Sequence, residues 1–387
     1  MKKILLLVAS CVLVACNSNN ATKVTLTNPL AIDRIAEVVE IPLSEISSKV
    51  VLQEGESYEV KNDKGEVVLS QISYDQTGAP IALLIQATVP ATKQVDYTIG
   101  KAAATQVDSK VYGRFVPERK DDYTWENDKV AFRVYGPTLE KTGEISNGID
   151  IWVKCTPNLV IDKWYANDLS GKASYHANHG EGLDFYKVGR TLGAGAMAPF
   201  VGDSLRLGNN FTSYKTIDNG PLRTSVVLQY APYKAASIDV KETRFISLDA
   251  GSHLNKVTTT YQFDGAPIPV AAGLITRKDA GSTVINTEKG YAFYAEPEDA
   301  KNGVIYTSLV ADSPVRDFKT SEDHLLMIGE TPSNSGYSYY CGGGWSQGGY
   351  PTAESWQAYL DSFAQCKQAP IEVSIRLFDF QTQQSCW

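Results

Sequence analysis

The chain contains few histidines and no cluster of basic residues. Only four of its 387 residues are His, and its lysines and arginines are scattered along a chain with a formal net charge of -8. Neutralising a nucleic-acid backbone requires a basic stripe on the protein surface. The charge pattern therefore excludes nucleic acid as the partner, and an acidic substrate would have to be met by local cations.

Several signatures of catalysis and binding are also missing. The sequence has no Gly-Lys-Ser/Thr, so a phosphate-binding loop is not expected. It also has no His-Glu-x-x-His, the motif of helical zinc-protease sites, and no serine in a nucleophile elbow, as serine hydrolases of that type require. The glycine-rich stretch at residues 342–349 instead predicts a mobile loop that carries Trp345, whose ring is suited to stacking on a sugar.

Long apolar runs are confined to the N-terminus. Two lysines precede an apolar run at residues 5–14, which is too short to span a bilayer and is typical of a signal peptide. Residues 13–16, Leu-Val-Ala-Cys, resemble the lipobox of bacterial lipoproteins. This resemblance implies a signal at residues 1–16, a lipid anchor to the membrane at Cys16 and a tether at residues 17–23. Because Asn17 stands where an inner-membrane retention signal usually has Asp, we expect a cell-envelope lipoprotein in the outer membrane, facing the periplasm.

Cysteines outside the signal peptide are few. Four follow the proposed anchor: Cys155, Cys341, Cys366 and Cys386. Their spacing fits no zinc motif. In an oxidising periplasm they are expected to form structural disulfides or to remain buried free thiols.

The strand pattern divides the chain into two parts. Residues 24–106 read as short strands separated by turn signals, which is typical of a small β-sandwich. From residue 107 to residue 387 the strands are longer, and the segment after Thr352 is the one with convincing helical periodicity. We therefore predict a mainly β protein, with a small N-terminal β-sandwich followed by a large antiparallel two-sheet domain with one late helix.

Two strands of the second part alternate with period two. In residues 130–135, Phe132 faces one side while Arg133 and Tyr135 face the other. In residues 148–154, Asp150, Trp152 and Lys154 share the polar side in the same way. A face that combines charged and flat aromatic side chains is typical of a sugar-binding groove; the alternative is a solvated sheet face.

The segment Tyr175-His-Ala-Asn-His-Gly-Glu-Gly-Leu-Asp-Phe-Tyr-Lys187 concentrates groups that can transfer protons. Its two glycines, Gly180 and Gly182, predict a loop whose side chains are presented to solvent. The candidate catalytic residues are His176, His179, Glu181, Asp184 and Tyr186. Three interpretations are open: acid–base catalysis, metal binding through His176 and His179 with a carboxylate, and a loop whose histidines bind backbone carbonyls.

Four motifs carry a resemblance to a known family. They are Val-Thr-Leu-Thr-Asn-Pro-Leu at residues 24–30, the Pro-Glu-Arg-Lys-Asp-Asp sequence within residues 114–128, Ala-Phe-Arg-Val-Tyr-Gly-Pro at residues 131–137, and residues 175–189. They resemble Gram-negative lipoproteins of unassigned function that are encoded beside enzymes degrading pectin and other uronate polysaccharides. The resemblance implies that the second domain is a β-supersandwich, as in galactose mutarotases and several polysaccharide lyases. The chain departs from this family at Asn178 and at Ala194-Gly-Ala196.

The resemblance implies a carbohydrate-active protein that acts on uronate-containing, pectin-like oligosaccharides. The candidate substrate-binding residues are Arg119, Lys120, Trp125, Arg133, Tyr135, Asp150, Trp152, Lys154 and Trp345. Lyase and hydrolase chemistry, mutarotase-like epimerisation and glycan binding without turnover are the alternatives. No cofactor is expected, although a divalent metal at His176 and His179 stays open. His179 and Glu181 are the residues to test first.

Overall fold

The N-terminal part of the protein forms a small β-sandwich. In the computed structural model, the structure describes residues 21–377. The elements of this part are β1 (Thr22–Thr27), β2 (Arg34–Pro42), α1 (Leu43–Ile46), β3 (Glu56–Lys61), β4 (Val67–Val68), β5 (Ser70–Tyr74), β6 (Pro80–Val89) and β7 (Gln94–Ala103). The apolar residues 49–52 also read as a short strand in the sequence, but that prediction is wrong: the chain there forms the turn after α1, where the Val50 N–H donates to the Ile46 carbonyl.

The second part contains the longer strands and the larger helices. Its first half comprises β8 (Val111–Val116), β9 (Asp122–Asn127), β10 (Val130–Val134), α2 (Pro137–Lys141), β11 (Asp150–Lys154), α3 (Ile161–Leu169), β12 (Gly182–Leu183), β13 (Ala194–Pro199), β14 (Phe211–Asn219), β15 (Arg223–Tyr230), β16 (Tyr233–Ala235) and β17 (Ile238–Asp249). Its second half comprises β18 (Leu254–Gln262), β19 (Ile268–Ile275), β20 (Ser282–Asn286), β21 (Tyr291–Ala295), β22 (Ile305–Ala311), β23 (Asp317–Ser321), β24 (His324–Thr331), β25 (Gly336–Trp345), α4 (Ala353–Gln368) and β26 (Glu372–Leu377).

Strand pairing shows how the N-terminal sandwich is completed. One sheet has the order β26-β1-β7-β3-β4 and the other β2-β6-β5. Their inner faces enclose an apolar core that includes Val24, Leu26, Ile41, Val60, Ile85 and Ile99. The strand β26 pairs antiparallel with β1, with Thr22 opposite Leu377 and Thr27 opposite Glu372. The last described strand therefore belongs to the first sandwich, and the division into residues 24–106 and 107–387 stays a prediction.

The second part is built from two large antiparallel layers. One layer has the order β12-β11-β10-β9-β8 and continues, through a bridge between Ile149 and Gly193, into β13-β19-β24-β23. The other has the order β14-β15-β17-β18-β25-β22-β21-β20, with β16 beside β17. Phe132 and Ile151 from the first layer pack with Val226 and Ile246 from the second. The predicted fold class, mainly β with a small sandwich and a larger two-sheet domain, is confirmed.

The predicted late helix is α4. The hydroxyl of Thr352 accepts a hydrogen bond from the backbone N–H of Ser355 at 3.2 Å, as a helix cap should. Trp356, Leu360 and Ala364 face the sheet and are buried. Their helical spacing in the sequence is the reason why this element was predictable.

Helix α3 was not predicted, because its cap comes from a distant strand. One oxygen of Glu126, in β9, accepts from the backbone N–H groups of Val160 and Ile161 at 2.7 and 2.8 Å. This carboxylate replaces the local Ser, Thr, Asp or Asn that usually marks a helix start in a sequence. Ile161, Trp164 and Tyr165 turn inward from α3 and cover the outer face of the first layer.

Other observations bear on the cysteines and on membranes. Cys155, Cys341 and Cys366 are free thiols, whereas Cys386 lies outside the described residues. Between residues 21 and 377 no helix is long and apolar enough to cross a membrane. The proposed signal peptide and the anchor at Cys16 also lie outside the described residues.

Candidate functional site

The segment 175–187 folds back over the polar face of the first layer. Within it, Gly182 and Leu183 form β12 and pair with β11, while the Asp184 N–H donates to the Tyr175 carbonyl at 2.9 Å. Gly182 has φ +123°, and a Cβ atom there would lie 2.0 Å from the Val153 carbonyl oxygen. Only glycine fits this close approach. The segment is thus a fixed cover over the sheet.

Arg133 lies at the centre of the covered face. Its Nη2 donates to Asp150 Oδ2 at 2.5 Å and to Asp184 Oδ2 at 3.0 Å, and its Nη1 donates to the Tyr175 hydroxyl at 3.3 Å. Burial raises the pKa of Asp184 well above its ordinary value, and the neighbouring charge of Asp150 raises it further. Burial raises the pKa of Asp150 as well, and the shared Arg133 guanidinium opposes the shift of both carboxyls.

Asp122 is a third buried carboxyl near Arg133 and Asp150. Burial raises its pKa to about 7, against the opposing attraction of Arg133. Its Oδ1 accepts from the Gly136 N–H at 3.1 Å. A carboxyl whose pKa is near neutral pH can give or take a proton under physiological conditions. We call Asp122, Arg133, Asp150, Tyr175 and Asp184 the Arg133 cluster.

The turn before Asp122 is held in an unusual backbone conformation. Lys120 and Asp121 have φ values of 56° and 65°, which is uncommon for residues other than glycine. A Cβ atom on Gly136 would lie 1.7 Å from the Asp121 carbonyl oxygen, and the Leu139 N–H donates to the Lys120 carbonyl. Strained backbone of this kind often accompanies functional sites. Here it sets the positions of Arg119 and Asp122.

Tyr175 joins the rim of the site to its interior. Its hydroxyl accepts from Arg119 Nη2 at 2.5 Å as well as from Arg133. Its ring stacks on Trp152, with the ring centroids 5.2 Å apart. The Nε of Arg119 and the Nε1 of Trp152 are buried and have no hydrogen-bond partner among the described residues. The site thus presents polar donors beside a flat aromatic wall.

His176 is the exposed member of the site. Its side chain is 58% exposed, and its Nδ1 lies 2.9 Å from the Asp184 carbonyl oxygen and 3.6 Å from Asp184 Oδ2. Because a carbonyl oxygen can only accept, Nδ1 carries the proton in this hydrogen bond. Nε2 is then the unprotonated nitrogen of the neutral ring and can act as a base.

His179 and Glu181 line a crevice that Tyr175 also borders. Its volume is about 80 Å³, and Lys163 and Trp164 also line it. Lys163 Nζ and Trp164 Nε1 donate to Glu181 Oε2 at 2.7 and 3.4 Å, and the hydrogen bond from Lys163 is the main reason why the pKa of Glu181 is lowered. His179 Nε2 lies 3.1 Å from the Ser174 carbonyl oxygen. Both histidines therefore bind backbone carbonyls, as the third interpretation of this segment describes.

Several predicted residues lie outside the Arg133 cluster, and the polar face is not an open groove. Trp125 faces the core and donates from Nε1 to Asn255 Oδ1 at 2.7 Å. Lys154 is fully buried in an ion pair with Glu126 at 2.7 Å. Trp345 was expected in a mobile loop, but it ends β25, is 2% exposed and donates to the Asn302 carbonyl. Trp125 and Trp345 are enclosed because they face the core between the two layers, whereas Lys154 is enclosed with Glu126, which caps α3.

The other predicted residues lie around the cluster. The guanidinium carbon of Arg133 is 5.4 Å from the Tyr135 ring centroid and 5.2 Å from that of Trp152. Lys120 is exposed beside Arg119 at the rim. Tyr186 is buried and lies instead under Arg277, at 5.4 Å.

Asp122 and Tyr165 belong to the site but were not identified from the sequence. Asp122 belongs to the Pro-Glu-Arg-Lys-Asp-Asp motif, so the motif pointed to it, but only the fold shows its burial beside Arg133. Tyr165 comes from the unpredicted helix α3 and meets Trp152 and Tyr175 edge to face, at centroid distances of 5.2 and 5.6 Å. Its buried hydroxyl has no partner within residues 21–377.

Metal binding is not supported by the arrangement of side chains. Among the described residues, no three or more His, Cys, Asp and Glu side chains converge in a way that could hold a metal ion. The nitrogens of His176 and His179 that make hydrogen bonds bind different carbonyl oxygens.

Comparison with solved structures gives distant similarities. A protein in glycosyl hydrolase family 38 from Enterococcus faecalis aligns with a TM-score of 0.49 and 10% identity, over 92% of this chain and 47% of that one. An alpha-mannosidase from Enterococcus faecalis V583 aligns with a TM-score of 0.49 and 8% identity, over 92% of this chain and 46% of that one. The chain spans about half the length of either protein.

Sequence comparison gives a much stronger match. A protein of Formosa agariphila, named "Uncharacterized protein P7", is 35% identical over 379 residues, which cover 91% of this chain and 93% of the relative. The family described as Domain of unknown function (DUF4861) matches residues 26–373. The chain belongs to the DUF4861 family.

Proposed function

We propose that the protein is an enzyme that acts on uronate-containing oligosaccharides by acid–base chemistry at the Arg133 cluster. The observation that carries this proposal is the convergence of two buried carboxyls with raised pKa values, Asp122 and Asp184, near Arg133, with the exposed imidazole of His176 beside Asp184. Perturbed carboxyls that meet a base at one place are typical of active sites.

The charge of the site fits an anionic substrate. Burial raises the pKa of all three carboxyls of the cluster, that of Asp122 to about 7, which reduces the negative charge that the site carries. Arg119, Lys120 and Arg133 supply the opposing positive charges. The site thus concentrates cations in a chain with a net charge of -8. A sugar carboxylate bound at Arg119 and Lys120 would meet compensating charge.

Elimination fits the geometry better than hydrolysis. A glycosidase places two carboxyls on opposite sides of the scissile bond. Asp150 and Asp184 instead bind the same nitrogen of Arg133, at 2.5 and 3.0 Å, so the guanidinium fills the space that the sugar would need. Hydrolysis by this pair is therefore disfavoured.

The elimination assigns a role to each group at the site. His176 Nε2 takes the proton from C5 of the uronate, and the electrons of that C–H bond form the C4–C5 double bond. The C4–O bond breaks, and the leaving oxygen receives a proton from the Tyr175 hydroxyl, which Arg119 and Arg133 hold in place. The cations stabilise the negative charge that develops on the carboxylate. The products are a shortened sugar and an unsaturated uronate.

A direct assay tests the reaction class. The purified protein is incubated with oligogalacturonides and with related uronate oligomers, while absorbance of unsaturated uronate and product size are followed. We expect new absorbance together with shorter products. Shorter products without new absorbance would replace elimination by hydrolysis, and binding without any product would overturn the enzymatic proposal.

The two histidines of the segment provide matched variants. Both are exposed and both bind a backbone carbonyl, but the carbonyl that His176 binds belongs to Asp184 of the Arg133 cluster, whereas His179 binds that of Ser174. We expect His176→Ala to reduce turnover about 10²- to 10⁴-fold, and His179→Ala and Glu181→Gln to retain most of it, with circular dichroism showing an intact fold. If His179→Ala is inactive and His176→Ala is active, the base is misassigned.

We also propose that the protein is an envelope lipoprotein anchored through Cys16. The support is the resemblance of residues 13–16 to a lipobox. Labelling of cells with a fatty-acid analogue should modify the wild-type protein but not a Cys16→Ser variant. Equal labelling of both would contradict the anchor, and membrane fractionation would test the outer-membrane location.

A further inference from the structure

A second cavity opens beside the C-terminal end of the segment 175–187. Its volume is about 410 Å³, which is within the range of small-ligand sites. Leu205 and Ile275 contribute apolar surface, whereas Arg190, Arg277 and Lys278 line it with positive charge. This combination of an apolar surface and several cations suits a sugar that carries an anionic group.

Two of these cations are available to a ligand. Arg190 and Lys278 are exposed, and neither forms an ion pair with another residue in the described part of the chain. Two carboxylates also line the cavity, Glu322 and Asp323, but Glu322 accepts a hydrogen bond from the Leu205 N–H at 3.4 Å. Arg277 is paired with Glu296, but Arg190 and Lys278 have no direct ion pair within residues 21–377, so their side chains can turn towards a ligand.

The wall of the cavity is held by a buried histidine. His324 Nδ1 lies 2.6 Å from the Glu322 carbonyl oxygen, and its Nε2 accepts from the Leu192 N–H at 3.1 Å. One ring nitrogen thus donates and the other accepts, which requires the neutral ring. The turn at Glu322 and the strand end at Leu192 are fixed together, so the cavity exists before any ligand binds.

Arg277 connects this cavity to the proposed active site. Its Nη2 donates to the Lys187 carbonyl at 2.8 Å, its Nε pairs with Glu296 at 2.8 Å, and its guanidinium covers the ring of Tyr186. Lys187 follows Asp184 by three residues, so their Cα atoms are at most about 11 Å apart. The cavity is therefore linked through Arg277 to the same segment that carries Asp184.

We propose that this cavity is a second subsite, which binds an anionic sugar residue of the same oligosaccharide beyond the residue that reacts. The inference rests on the proposed function for the reacting end. The group recognised by Arg190 and Lys278 is an anion, either a carboxylate or a sulfate ester. The preferred substrate is then longer than a disaccharide and carries at least two charged residues.

Binding measurements test the subsite independently of turnover. Isothermal titration calorimetry uses the His176→Ala protein as the parent and adds Arg190→Ala and Lys278→Ala to it, first singly and then together as the double variant. The ligands are a uronate disaccharide, a uronate tetrasaccharide and a sulfated tetrasaccharide without uronate. We expect each lost cation to weaken binding of a tetrasaccharide about fivefold and to leave the disaccharide unchanged. Lys241→Ala, which removes an exposed charge that does not line the cavity, is the matched control.

The outcomes separate the two proposals. If the double variant loses affinity for the uronate tetrasaccharide, the ligand group is a carboxylate; if it loses affinity for the sulfated one, the group is a sulfate ester. Equal affinity of the double variant and its parent for both tetrasaccharides overturns the subsite, while the absorbance assay still decides the reaction. Loss of affinity without any turnover in the wild-type protein would keep the subsite and reject the enzyme.

Discussion

The buried ion pair between Glu126 and Lys154 supports the cover of the candidate site. Both side chains are 0% exposed, and Lys154 Nζ donates to Glu126 Oε2 and to the Asn127 carbonyl, each at 2.7 Å. The other oxygen of Glu126 caps α3 through the N–H groups of Val160 and Ile161. The carboxylate is therefore satisfied by one cation and two backbone donors.

Removing one partner of this pair should strongly destabilise the protein. Lys154→Met leaves Glu126 buried without a compensating cation, and Glu126→Gln leaves the ammonium in the same position, so each change should cost about 3–5 kcal/mol. In the double variant no charge is left, and the amide oxygen of the introduced glutamine can still accept from both N–H groups of α3. Its cost should be below about 2 kcal/mol, which requires strong coupling between the two changes.

Urea denaturation at pH 7 of the wild type, both single variants and the double variant measures this coupling. Near-ultraviolet circular dichroism reports on α3, because Trp164 stacks on Trp152 with ring centroids 5.9 Å apart. If the costs of the two single changes simply add in the double variant, the pair does not act as a unit and the reasoning is refuted.

Two further predictions concern the turn and the carboxyl beside Arg133. Asp122 keeps its proton up to about pH 7 in the folded protein but ionises near its ordinary value of 3.8 when unfolded, so the free energy of unfolding should fall as the pH rises from 4 to 7. Relative to the Asp122→Asn variant, the wild-type protein should lose up to about 4 kcal/mol of unfolding free energy over this interval. Urea denaturation of both proteins at pH 4 and pH 8 measures the difference, and an equal change in both proteins would contradict the raised pKa of Asp122. Gly136→Ala places a Cβ atom 1.7 Å from the Asp121 carbonyl oxygen and should lower the midpoint of thermal unfolding by several degrees, as expected for a loss of about 2 kcal/mol or more. Gly100→Ala, which meets nothing within 4 Å, should leave that midpoint nearly unchanged, and equal midpoints for both variants would contradict the close approach.

Much of the fold was predictable because it depends on local patterns. Alternation in residues 130–135 and 148–154 placed Phe132 in the core and Arg133 on the opposite face, as the structure has them. The cap at Thr352 predicted α4 in the same way. These elements follow from side-chain periodicity and from a cap that is adjacent in the sequence.

The candidate site was only partly predictable, because burial there depends on contacts between distant residues. Trp125 and Lys154 are residue types that are typical of a sugar groove, but Trp125 packs in the core between the layers and Lys154 is buried in its ion pair with Glu126. The pKa of Asp122 depends on its burial near Arg133, which sequence spacing alone does not reveal. Asp184 and His176 were identified from their crowding in one segment, whereas their contact with Arg133 required the fold.

The pairing of β26 with β1 has a consequence for the order of folding. One edge of β1 binds β7, and the other stays open until residues 372–377 pair with it. An open strand edge can pair with other chains. The sheet of the first sandwich that contains β1 therefore cannot be completed by the N-terminal strands alone. A chain truncated before β26 would expose that edge of β1 and should be prone to self-association.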